Sequence, residues 1–258
     1  MNGTTHRLGG LAVGAGIAAI TIGIGGENLS AVEQTVSFIA GSAIGSLLPD
    51  IDHEGSLIGR KVKLVSKAVR KVAGHRGATH TIVGLGVYTC AMILLCSLTS
   101  SSARKGDFNS VIACLVGMIF SASAVFVIRE LSRIFRNRIS RKKVAIVSVL
   151  SFIIGFAVTT ADAKLTALLI TNFLIGSVAG YASHLFLDCF TVSGVELFAP
   201  FTDKTIRLGT CRTGSDWRNH KHGDTKEDRK KARGFGESFY AMVCTLIFIC
   251  NIGLIFYI

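Results

Sequence analysis

Residues 31–53 read AVEQTVSFIAGSAIGSLLPDIDH, and this stretch decides the fold. An apolar run over 31–48 meets Pro49 and is followed at once by Asp50, Asp52 and His53. Ser30-Ala31-Val32-Glu33 reads as a capping box that opens a helix, and Pro49 closes it, forcing residues 50–53 out of the helix. A greasy helix thus delivers carboxylates and an imidazole at one end. The same arrangement returns at His6, at residues 75–80 and at His184 with Asp188.

The whole chain has the same character. Its 258 residues are 50% apolar and only 17% charged, with a mean hydropathy of +0.52, too apolar for a soluble domain of this size. Apolar runs at 8–26, 31–48, 81–100, 109–128, 144–160, 165–187 and 239–258 each approach the ~20 residues that a helix needs to cross hydrocarbon. The runs at 31–48 and 144–160 are short, which leaves tilt, bilayer thinning or a partly re-entrant path open. The first run is Gly-rich, without a basic leader or a small-residue cleavage site, and does not read as a cleaved signal peptide. The expectation is an all-α, polytopic membrane helix bundle of about seven transmembrane helices, a single domain over 1–258 in the cell inner (cytoplasmic) membrane.

The net charge of +12 orients that bundle. Of 28 Lys and Arg residues, 24 fall in alternate loops on one side and three on the other. The rich side is cytoplasmic by the positive-inside rule, which puts the N-terminus inside and the C-terminus outside. Orientation accounts for the charge, and no nucleic-acid partner is needed. Residues 54–74 form a basic amphipathic segment expected to lie on the inner leaflet, and 202–238 reads as a cytoplasmic basic loop too short for its own core. The seven cysteines form no CxxC pair, so a structural zinc knuckle is disfavoured. Gly41 with Gly45, and Gly176 with Gly180, are small residues at helical spacing, the pattern of closely packed membrane helices.

Under this topology, His6, Asp50, Asp52, His53, His75, His80, His184 and Asp188 all lie at the cytoplasmic ends of spans. Taken singly, each has an ordinary reading: a surface histidine, a helix-ending turn, part of a basic patch, a buried hydrogen-bonded pair. Together on one face they read as a metal site, because imidazole and carboxylate suit zinc and similar divalent ions. His184 and Asp188 are i, i+4 and adjacent on one helix face. Asp50 and Asp52, at i, i+2, could bridge or flank a pair of metals in an extended turn, and Thr79 can cap the third span, leaving His80 in its first turn. Carboxylates at membrane depth cost ~2.5 kcal/mol or more unless compensated.

The order of His6, LPDIDH at 48–53, HRGATHT at 75–81 and SHLFLDCFTVSGVELFAPF at 183–201 resembles the YdjM-type family of membrane-bound metal-dependent hydrolases, inner-membrane proteins of bacteria and some archaea. The resemblance runs from residue 1 to about 214 and includes Arg212-Thr213-Gly214. It implies a hydrolase with metal ligands on Asp50, Asp52, His53, His75, His80, His184 and Asp188. A weaker similarity links such His/Asp patterns to the zinc-dependent phospholipase C and single-strand nuclease superfamily. After Gly214 the family pattern stops, and His220 and His222 read as solvated loop residues.

These readings converge on a membrane-embedded hydrolase using one or two divalent ions, zinc first and manganese or iron as alternatives. An open divalent centre lowers the pKa of its bound water toward ~7 and makes it a nucleophile at neutral pH. Asp52 is either a ligand or the general base. Arg76 is expected to clamp an anionic substrate, with Arg207 and Arg212 extending the clamp. Depth and cations point to membrane lipids as partners and to a phosphoester of a lipid or lipid-linked substrate. A divalent-cation transporter or sensor is the alternative, although the outer halves of the spans carry almost no ionisable residues. A non-catalytic membrane scaffold is a third reading, and it leaves the histidines and aspartates unexplained.

Overall fold

The computed structural model describes residues 3–25, 31–52, 56, 64, 67, 78–105, 121, 125, 132, 140–161, 163–191, 194–202, 204–209 and 226–257. Six α-helices are found among them: α1 Gly3–Gly25, α2 Ala31–Gly45, α3 Ile82–Lys105, α4 Arg141–Ala161, α5 Ala163–Cys189 and α6 Lys226–Tyr257. Two short 3-10 turns, Pro49–Asp52 and Ala78–His80, and one isolated antiparallel bridge between Val195 and Ile206 complete the regular structure. The chain is all-α, as its apolar periodicity requires. The expected span at 109–128 lies almost wholly outside the described residues, as does most of the 54–74 segment.

Among the described residues, two helical segments, Thr5–Ile24 and Lys164–Cys189, are long and apolar enough to cross a membrane, and the apolar runs Ile82–Leu98 and Phe239–Ile255 are shorter. Bulky apolar side chains point outward along the flanking helices, among them Val87, Ile93 and Leu94 on α3, Ile146, Val149 and Ile153 on α4, and Leu246 and Ile249 on α6. Faces this apolar are unusual on a water-exposed surface.

The glycine pairs determine how the centre is built. A Cβ at Gly41 or Gly45 would collide with the carbonyl oxygens of Phe173 or Ser177 on α5, and one at Gly176 or Gly180 with those of Phe38 or Ser42 on α2. The contacts advance together along both chains, so α2 and α5 run parallel, backbone against backbone. Helix α1 crosses α2 in the opposite sense, with Gly10 against Ser46 and Gly14 against Ile39. Helix α6 runs parallel to α1: Gly9 faces Cys244, Gly16 faces Asn251, and Asn251 Nδ2 donates to the Ala12 carbonyl at 3.2 Å. Helix α3 is antiparallel to α5, with Tyr88 donating to Ser177 Oγ at 2.9 Å and Met92 and Cys96 packed on Ile170 and Leu174. The start of α1, the end of α2, the start of α3 and the end of α5 therefore meet at one end of the bundle.

Several local expectations need correction. Helix α2 stops at Gly45, and the chain tightens through Leu47 N–H to the Ile44 carbonyl and Leu48 N–H to the Gly45 carbonyl before Pro49. The Asp50/Asp52 segment is a 3-10 turn rather than an extended one, so at ~120° per residue the two carboxylates project about 120° apart around its axis. Thr79 does not cap α3. Its hydroxyl is taken by Asp52, and Thr81 supplies the cap by accepting from Gly84 N–H at 3.0 Å. The basic stretch at 202–238 is not all loop, because α6 begins at Lys226. Its opening KEDRKKAR consists of helix-favouring residues with no proline to stop them.

Candidate metal centre

The site is assembled from four chain segments whose ends the glycine packing brings together. Helix α1 supplies His6 in its first turns. The Pro49–Asp52 turn supplies Asp50 and Asp52, the Ala78–His80 turn supplies His80, and the last turns of α5 supply His184 and Asp188.

Four donor atoms face one another at its heart. His80 Nε2 lies 3.8 Å from Asp50 Oδ1 and 3.8 Å from Asp188 Oδ2, while His184 Nε2 lies 3.9 Å from Asp50 Oδ1 and 3.4 Å from Asp188 Oδ2. Tetrahedral ligands at ~2.0–2.2 Å from a zinc-like ion stand about 3.3–3.6 Å apart; the 3.4 Å pair falls in that range, and the 3.8–3.9 Å pairs would have to close by a few tenths of an ångström around a cation. His6 stands on the other side of Asp188, its Nε2 3.3 Å from Oδ1 and its ring stacked on His184 with centroids 3.7 Å apart. His6, His184 and Asp188 make a second group with metal-ligand spacing, next to that of Asp50, His80 and His184.

Hydrogen bonds fix which nitrogen each ring presents. His184 Nδ1 lies 2.7 Å from the Ser46 carbonyl oxygen, which accepts only, so Nδ1 carries a proton and Nε2 is the nitrogen turned toward Asp50 and Asp188. His184 Nε2 is buried and has no hydrogen-bond partner among the described residues. His80 is set by a relay: Thr79 Oγ1 donates to Asp52 Oδ2 at 2.9 Å and stands 3.1 Å from His80 Nδ1, whose N–H it can accept. His80 Nε2 is then the free donor. Outer partners of this kind orient ligating histidines in metalloproteins and raise their basicity.

Charge favours a cation here. Burial opposes ionisation of Asp50, but the adjacent His80 and the nearby His184 and His6 imidazoles outweigh it and hold the carboxyl well below its usual range. Asp50 is therefore an anionic donor throughout the physiological range. His6, His80, His184 and Asp52 are buried, whereas Asp50 and Asp188 are only partly so, so the carboxylates mark the side from which the site is reached.

Of the residues singled out by sequence, the structure brings together His6, Asp50, Asp52, His80, His184 and Asp188. Asp52 stands behind His80, 3.8 Å from its Nδ1 and on the ring side opposite the shared donors. His53, His75, Arg76, Arg212, His220 and His222 lie outside the described residues. Arg207 is exposed in the loop that follows α5. The Ser46 carbonyl and the Thr79 hydroxyl escaped the sequence reading, because neither a backbone oxygen nor a lone threonine carries a metal signature. Tyr181 on α5 adds a further brace, its hydroxyl donating to the Thr79 carbonyl.

Comparison with known proteins places the chain in a family. The uncharacterized protein YvsG of Bacillus subtilis (strain 168) is 40% identical over 83 residues, 32% of this chain and 46% of its own length. The inner membrane protein YdjM of Escherichia coli (strain K12) is 46% identical over 39 residues, 15% of this chain and 20% of its own, and the Shigella flexneri YdjM matches equally. The chain thus spans less than half the length of these curated relatives. No solved structure matches it. A family model described as YdjM inner membrane protein matches residues 1–256, well past Gly214 where the sequence reading ended the resemblance, and the chain belongs to that family.

Proposed function

We propose that this protein is a membrane-embedded, divalent-metal-dependent hydrolase that cleaves a phosphoester of a lipid or lipid-linked substrate at the cytoplasmic face of the inner membrane. The observation that carries the reading is the pair of groups with metal-ligand spacing, Asp50, His80 and His184 beside His6, His184 and Asp188, which share His184, with nitrogen-to-oxygen separations of 3.4–3.9 Å from His80 and His184 to Asp50 and Asp188. Two imidazoles and two carboxylates suit zinc, and manganese or iron share the donor preference.

A bound divalent ion supplies Lewis acidity toward a phosphoryl oxygen and acidifies coordinated water. The chain's own residues do the rest. The Ser46 carbonyl and the Thr79–Asp52 pair hold the two imidazoles with Nε2 directed inward. His6 holds Asp188 through Oδ1, leaving Oδ2 to the shared position. Arg207, with Arg76 and Arg212, provides cations for an anionic headgroup.

The membrane reading extends to a multi-pass topology of about seven spans with the N-terminus inside. It is supported by the family and by the outward apolar faces of α3, α4 and α6. In the same frame α1 and α6 both run away from the metal end, so residue 257 lies at the opposite end from His6.

The test is metal content of detergent-purified protein by elemental mass spectrometry, wild type beside Asp50→Ala and His184→Ala. Metal retained by wild type and lost from both folded variants supports the centre, after which phospholipids and lipid phosphates are screened for cleavage. Wild-type protein that takes up no metal on reconstitution removes the hydrolase reading.

A further inference from the structure

Beyond the metal end, the chain leaving α5 folds into a loop over 191–209. It is tied down at three points. Leu208 N–H donates to the Cys189 carbonyl at 2.7 Å, Val195 and Ile206 exchange backbone hydrogen bonds at 2.9 and 3.2 Å, and Ile82 N–H donates to the Leu197 carbonyl at 2.8 Å. Gly194 makes the tight return with φ +65°, in contact with the Ile206 carbonyl. The loop is thus fixed one residue beyond Asp188 and two residues beyond His80.

Held this firmly, the loop still presents apolar side chains outward. Phe201 is 83% exposed, Leu208 61% and Phe198 46%. Lys204 and Arg207 are exposed on the same loop, with Glu196 as the acidic side chain exposed among the described residues. Burying such aromatics in water-free surroundings gains about 25 cal/mol per Å², a gain forgone in solvent. The apolar tip continues an aromatic band at the same level of the bundle. Phe186 and Phe190 flank Asp188 on α5, Phe190 contacts Tyr240 on α6, and Phe239 packs on Tyr240. Tyrosine gathers where hydrocarbon gives way to headgroups, and phenylalanine and leucine form the apolar face of elements that lie in that layer.

We propose that the 191–209 loop is a membrane-contacting element: Phe198, Phe201 and Leu208 enter the interfacial layer of a bilayer containing anionic phospholipid, and Lys204 and Arg207 engage its phosphates. The occupant is a lipid surface because aromatic and aliphatic tips flanked by cations match an interface that is apolar below and anionic above. The ten Lys and Arg residues between 204 and 233, against six acidic residues from Asp203 onward, add to the attraction. The inference rests on the membrane placement argued above and sets the metal centre at headgroup depth, where a lipid phosphoester is found.

The chain's single tryptophan, Trp217, makes the test direct. Phe201→Trp is built in a Trp217→Phe background and placed in nanodiscs of phosphatidylcholine with phosphatidylglycerol. Elution and thermal unfolding are matched to wild type. The expected result is a blue-shifted emission, quenched most by lipid brominated near the ester end of the chains and weakly by iodide, as for a group ~5–10 Å into the headgroup–acyl boundary. Adding Lys204→Glu with Arg207→Glu should then shift the emission back toward that of water. A red emission quenched by iodide and indifferent to bromolipid overturns the insertion, and an emission unmoved by the two glutamates overturns the phosphate contact. Neither readout needs metal or turnover, so an inactive hydrolase leaves this inference standing, and an indole in water leaves the metal centre standing.

Discussion

His184 Nδ1 lies 2.7 Å from the carbonyl oxygen of Ser46, 138 residues earlier in the chain. That bond exists because α2 and α5 run parallel with Gly45 and Gly180 at their contact. It holds a proton on one nitrogen of the ring, which donates to the carbonyl, and turns the other toward Asp50 and Asp188. Helix packing in the apolar layer and donor geometry at the metal end are therefore one arrangement.

Gly180→Ala tests that coupling. Its Cβ would collide with the Ser42 carbonyl on α2, an overpacking worth about 1–3 kcal/mol. The helices must separate and carry Ser46 away from His184. A lower unfolding temperature together with weaker metal retention is expected. An alanine variant that kept full metal occupancy would sever the link between packing and site.

Asp52 and Thr79 are expected to act on the metal through His80. Asp52→Asn and Thr79→Val should each weaken metal affinity about 10–100-fold, the usual effect of losing a partner behind a ligating histidine. Thr79→Ser, which keeps the hydroxyl, should restore most of it. Competitive chelator titration reads the difference. If Asp52→Asn abolished binding as completely as Asp50→Ala, Asp52 would be a ligand in its own right.

Chelation should destabilise the fold. Ligand held at about a hundred times its dissociation constant stabilises the native state by ~2.7 kcal/mol. Wild-type protein treated with chelator should therefore melt several degrees lower, with recovery on adding the ion back. His184→Ala should melt at one temperature with or without chelator, as read by differential scanning fluorimetry in detergent.

The Thr81 cap should be separable from the chemistry. Its hydroxyl accepts from Gly84 N–H and donates to the Ala78 carbonyl at 2.8 Å, so Thr81→Ala is expected to cost about 0.5–2 kcal/mol. Metal affinity should change far less than in Thr79→Val, although the two residues are only two apart. Equal losses in both variants would mean that the start of α3 and the His80 relay form a single unit.

Much of this was legible in the chain. The apolar runs placed α1, α3, α4 and α5 to within a few residues, because hydrocarbon burial demands uninterrupted apolar length. The polar islands picked out His6, Asp50, His80, His184 and Asp188, because ligating side chains at the ends of such helices are costly unless they are used. The glycine pairs declared themselves as contact points, since only glycine permits that approach.

Other features depended on the fold. Residue types at 50 and 52 could not tell which carboxylate faces the shared donors. The 3-10 turn decided it by turning Asp50 toward His184 and Asp52 toward Thr79. Which threonine capped α3 depended on Asp52 claiming the other. The Ser46 carbonyl carried no sequence signal at all, because every residue has one. A sequence determines what each side chain can donate or accept; the direction in which it does so is set by which backbones touch, and here that was decided by α2 lying parallel to α5.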